Sequence, residues 1–144
     1  MYELIISGEK ANLKILVFRF ENPSATDKSD ASWLVCQVNL SLPYFTANYD
    51  ASFTANDFLC FRRDIEKALT CVSDEPEAIF QTDEEMLYIK LKFSRTGKIY
   101  VSGIAEVREL PGASLSFSYE TDLFSIESLL KQLQKLETEK LRNF

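Results

Sequence analysis

Apolar residues recur with period two along most of the chain and with a helical period in two places. Residues 2–6 read as a short strand, turned by Ser7-Gly8-Glu9-Lys10 into a longer one over 12–20. There Leu13, Ile15 and Val17 alternate with Leu16 and Phe18, so both faces are apolar and the pattern predicts an interior strand covered on both sides. In 33–42 the residues Leu34, Cys36, Val38, Leu40 and Leu42 point one way. After Pro43 the apolar set is odd-numbered: Phe45, Ala47, Tyr49, Ala51, Phe53. Parity cannot change within a regular strand, so a bulge or tight turn is expected at Leu42-Pro43-Tyr44.

Residues 54–71 change to helical spacing, with Phe58, Phe61, Ile65, Ala68 and Leu69 on one stripe and Arg62, Arg63, Glu66 and Lys67 off it. Thr54 and Asp57 have the spacing of a capping box, and Ser73-Asp74-Glu75-Pro76 ends the helical region. Strands over 77–82 and 86–93 form a hairpin across Asp83-Glu84. Strands over 98–108 and 114–120 follow, and the odd parity of their inward sets demands odd-numbered loops at Ser94–Gly97 and at Leu110-Pro111-Gly112. Gly103, in mid-strand, marks a bulge or a close approach. A second helix spans 125–138 with Ile126, Leu129, Leu130, Leu133 and Leu136 inward, and the tail from Glu139 is expected to fray. Runs of strands with two segregated helices predict an α+β fold: a single domain over 1–144 with a mainly antiparallel sheet of about eight strands. A sheet of that size must curl strongly or divide into two layers.

Composition narrows the chemistry. The 144 residues carry a net charge of −6, a poor match to nucleic acid or an anionic membrane surface. There is no histidine, which removes the Ser-His-Asp and Cys-His systems and most zinc hydrolase sites. The four glycines cannot write a phosphate-cradling loop. No cofactor or metal is implied, and the expected role is non-enzymatic. Cys36, Cys60 and Cys71 lack metal-type spacing, and Cys36 and Cys60 read as small core residues. An odd cysteine count, no leader-like N-terminus and no long apolar run suggest a reducing, cytoplasmic setting.

What remains is surface. Asp74, Glu75, Glu77, Asp83, Glu84 and Glu85 put six acids within twelve residues, with no base among them. They are either solvated loops that blunt an edge strand or an anionic docking patch for a cationic partner. Trp33, the sole tryptophan, has the outward parity of its strand. Tyr88 and Tyr100 face outward on neighbouring strands beside Lys90 and Lys92, unless a helix covers them. Aromatics of this kind anchor interfaces.

The order of these elements resembles small bacterial immunity proteins of the WapI type and related uncharacterised families. The resemblance is carried by Asp30-Ala31-Ser32-Trp33-Leu34 opening a strand and by the helix of residues 58–69. Met86-Leu87-Tyr88-Ile89, then Gly97-Lys98-Ile99-Tyr100-Val101, and the closing helix of residues 124–136 complete it. It implies a cytoplasmic inhibitor that neutralises a toxin, a basic domain by preference, through direct binding. It brings no contact residues with it. Two other readings stay open: a ligand carrier or carboxylate enzyme with a pocket inside a curled sheet, and a structural homodimer; the chain is monomer or homodimer.

Overall fold

The computed structural model describes residues 1–71 and 74–144, so Ser73 of the expected helix stop lies outside it. Among the described residues, eight strands divide into two separate four-stranded antiparallel sheets, so the division into two sheets prevails over strong curling. The first is the meander β1 (Tyr2–Ser7), β2 (Asn12–Phe20), β3 (Trp33–Ser41) and β4 (Thr46–Thr54), with a one-turn helix α1 (Lys28–Ala31) between β2 and β3. The helix α2 (Ala55–Thr70) follows. The second is β5 (Glu77–Phe80), β6 (Leu87–Phe93), β7 (Lys98–Val107) and β8 (Ala113–Asp122), followed by α3 (Leu123–Leu136) and a π-helical turn, Glu137–Leu141.

The chain thus runs through four strands and a helix twice, a repetition that the residue types do not reveal. In both halves the last strand residue caps the helix. The Thr54 hydroxyl accepts from the Asp57 amide and the Asp57 carboxylate accepts from the Thr54 amide, a complete capping box. Asp122 accepts from the Ser125 amide. With these caps aligned, the buried Phe58, Phe61, Ile65 and Ala68 of α2 coincide with Ile126, Leu129, Leu133 and Leu136 of α3. Each helix lies along the first strand of the opposite sheet. Asp64 of α2 accepts from the Ile79 amide at 3.2 Å, and Gln132 of α3 accepts from the Ile5 amide at 2.8 Å. The strand edges of β1 and β5 are therefore covered, which removes two sites of stray strand pairing.

The turns obey the parity argument. Leu40 pairs with Ala47, and the Leu42 amide donates to the Phe45 carbonyl across a two-residue turn, which is where parity changes. The Ser94 amide donates to the Lys98 carbonyl around a three-residue loop with Gly97 at φ +88°. Val107 pairs with Ala113 across a five-residue loop. Gly103 sits in unbroken register on both sides and marks close packing, since a Cβ there would lie 2.1 Å from the Tyr88 carbonyl oxygen.

Four sequence expectations need correction. β2 is interior to its sheet, but its second face is open: Phe18 is 39% exposed, and a bulge between Val17 and Arg19 shifts the register. The tail does not fray, because Leu141 is buried and the Phe144 ring lies 5.6 Å from that of Phe20. Arg62 turns partly inward to bridge Glu66, at 2.8 Å, and Glu137, tying α2 to the last turn. Its Nε contact with Glu137 is an ion pair without hydrogen-bond alignment. Cys60 is exposed, being two positions from Phe58 and so well off the buried stripe.

Cys36 is buried as expected, and burial pushes its thiol up to about 12. A thiol-specific reagent at pH 8 should therefore modify Cys60 and Cys71 in the native protein and reach Cys36 only on unfolding. Modification of all three before unfolding would contradict this core.

Candidate functional site

The acids divide between the two ends of β5. At its start, Glu75 meets Lys92 at 3.4 Å and Glu77 meets Lys90 at 3.9 Å, with Asp74 exposed nearby in sequence. Tyr100 belongs to this end, since β7 places it opposite Lys92 and β8 places it opposite Glu120. It is 43% exposed, and Ile104 on the same face is 42% exposed, so no helix covers the outward side of the second sheet there. Here cations from β6 offset the negative charge.

The other end is the tip of the β5–β6 hairpin. Glu85 adopts φ +53° and its amide donates to the Thr82 carbonyl, so three consecutive acids fan out around a tight turn. The first sheet braces the turn, as Tyr49 Oη donates to the Met86 carbonyl at 2.7 Å. Burial raises the Tyr49 phenol and keeps it a donor. From β7, the Glu106 amide donates to the same carbonyl at 3.1 Å, and Arg108 meets Glu85 at 3.3 Å.

Each tip acid borders a different surface hollow. Asp83 faces one of about 500 Å³ at the start of α2, with Asp57, Asn56, Cys60 and Lys28 around it. Burial raises the Asp57 carboxyl, its bonds to Thr54 lower it, and Asp83 raises it further, so the two carboxylates repel. Glu84 borders a hollow of about 330 Å³ with Trp33, Glu21, Ser52 and Met86. Glu85 borders one of about 220 Å³ with Tyr88, Thr82 and Glu106. Lys28 is the one cation among the described residues lining the three. Among the described residues, no group of three or more metal-ligating side chains converges.

The structure thus gathers Trp33, Tyr88, Asp83, Glu84 and Glu85, and leaves Asp74, Glu75, Glu77 and Tyr100 at the far end of β5. It adds Glu21, Asp57 and Glu106, which sequence reasoning did not assign to a surface. Their separation along the chain hides them. The one legible signal was the β3–β4 parity, which sets Trp33 opposite Thr54 and so next to the start of α2.

The model of the immunity protein WapI-like family matches residues 4–139. The chain belongs to the WapI-like immunity protein family. No curated protein matches this family member. In fold it is similar to the solved structure of the plant transcriptional regulator PBF-2, with a TM-score of 0.54 and 10% identity. That match covers 97% of this chain and 82% of the other, and at such identity it is a likeness of fold alone. No helix among the described residues of the WapI-like chain is long and apolar enough to cross a membrane.

Proposed function

We propose that this chain neutralises a toxin in the cytoplasm by binding it directly, without catalysis, and that the tip of the β5–β6 hairpin is the centre of the docking surface. The observation that carries the reading is the gathering of acids from both halves and α2 in the three hollows that surround the hairpin tip, with Trp33 in one of them. Glu21, Asp57, Asp83, Glu84 and Glu106 have no cation paired to them among the described residues. Evolution of a stable fold does not require this, because β5 is already blunted by α2 and unmatched carboxylates repel. A basic partner surface would relieve the repulsion and be drawn in faster. A toxin that acts on nucleic acid offers such a surface, since it must hold phosphates. The alternative of a pocket inside a curled sheet finds no support. Neither sheet is closed, inward positions are filled by residues such as Phe53, Phe80, Leu87 and Ile89, and the hollows named above are on the surface.

The test is protection. The genes flanking that of this chain should include one for a toxin domain; cells expressing that domain should survive when this chain is co-expressed, and the two proteins should co-purify in a fixed ratio. Death of the co-expressing cells with both proteins soluble would overturn the proposal.

A further inference from the structure

The hollow bordered by Trp33 differs from its counterpart in the other half of the molecule. Trp33 opens β3 opposite Thr54, the cap of α2, and Lys98 opens β7 opposite Asp122, the cap of α3. The same place in the repeated unit therefore carries an aromatic ring in one half and a cation in the other. The flanking hairpins also differ. The β1–β2 turn packs so tightly on β8 that a Cβ on Gly8 would lie 2.6 Å from the Glu120 carbonyl oxygen. Around Trp33 the β5–β6 hairpin instead leaves about 330 Å³ open.

Two carboxylates border that space from different elements. Glu21, just beyond β2, accepts a hydrogen bond from Ser52 Oγ of β4, which holds it in place without cancelling its charge. Glu84 comes from the hairpin tip and has no ion pair among the described residues. Trp33 is half-buried, so its ring is held by the fold yet reachable. A held indole ring with two unmatched carboxylates beside it is complementary to a planar cation. A guanidinium can stack on the ring and donate paired hydrogen bonds to both acids, which a compact ammonium does less well.

Building on the proposed docking role, we infer that this hollow receives an arginine side chain of the partner protein, with Trp33 as the stacking platform and Glu21 and Glu84 as the acceptors. The arginine replaces, from outside, the cation that Lys98 supplies at the equivalent place of the second half. The hollow is one anchor within a broad acidic surface, and it favours arginine over lysine.

Trp33 is the only tryptophan, so its fluorescence reports on the site directly. The full chain is titrated with a tri-arginine peptide amide at low ionic strength. A saturable change in emission is expected, at least fivefold weaker for a tri-lysine peptide and absent for the uncharged tri-citrulline peptide. Glu84→Gln should weaken tri-arginine binding at least fivefold, whereas Glu9→Gln, an equal charge change at an exposed turn, should leave it within twofold. A response that does not saturate, that citrulline reproduces, or that Glu84→Gln leaves unchanged would overturn the inference. The toxin-domain complex separates this site from the wider reading. If the Glu84→Gln chain binds that domain as tightly as wild type, the arginine site falls and direct binding stands. If the wild-type chain forms no complex, the docking role falls, and the peptide titration still judges the hollow.

Discussion

Replacing Phe80 with alanine should lower the unfolding free energy by about 4 kcal/mol, measured by urea denaturation. Phe80 is fully buried on the short edge strand β5. Its ring centroid lies 5.2 Å from that of Phe53 on β4, 5.5 Å from Phe58 and 5.4 Å from Phe61 on α2. One ring therefore joins the second sheet to the first sheet and to the helix between them. Truncation removes the buried apolar surface and leaves a hole lined by three rigid rings, which cannot collapse cheaply. Phe124→Ala is the control: that side chain is 81% exposed in the first turn of α3, so its loss should cost under about 0.5 kcal/mol. Equal costs for the two variants would mean that the two halves do not share the core described above.

The second large effect concerns association. Changing Asp83, Glu84 and Glu85 together to lysine moves the hairpin tip from three negative to three positive charges. The rate of association with the toxin domain, followed by stopped-flow, should fall by about 100-fold at low salt. Stability should change little, because the three side chains are exposed and the Glu85–Arg108 pair is a surface contact. The same replacement of Asp74, Glu75 and Glu77 should slow association by less than about 10-fold, because Lys90 and Lys92 already offset the charge at that end. The contrast between the two triples separates a local docking surface from the general effect of net charge.

Much of the fold was legible because strand parity is a strict constraint. The shift from even to odd inward positions around Pro43 demanded a turn, and the odd sets flanking Gly97 and Pro111 demanded odd loops; all three are present. The capping box at Thr54 and Asp57 was legible for a similar reason, since spacing alone defines it. Features that depend on contacts between distant segments were not. Nothing local indicates that α2 covers β5 while α3 covers β1, so the twofold repetition of the unit was hidden. The bulge after Val17, the docking of Leu141 and Phe144, and the inward turn of Arg62 toward Glu137 each depend on partners far along the chain.

The candidate site divides in the same way. The position of Asp83, Glu84 and Glu85 at the tip of a hairpin was readable from the strand pattern on either side of them. Their proximity to Trp33, Glu21 and Asp57 was not, because it arises where the hairpin of one sheet meets β3, β4 and the start of α2 from the other half. Conversely, Glu75 and Glu77 looked equally available in the sequence, and only the pairing of β5 with β6 brings Lys92 and Lys90 to them.

The decisive measurement is calorimetric titration of the purified chain with the toxin domain that the proposed role requires, sought among the genes flanking that of this chain, at 50 mM and 500 mM salt. Direct docking through an acidic surface calls for a one-to-one complex whose affinity drops at least tenfold at the higher salt. Absence of binding at 50 mM, or binding indifferent to salt, would contradict it.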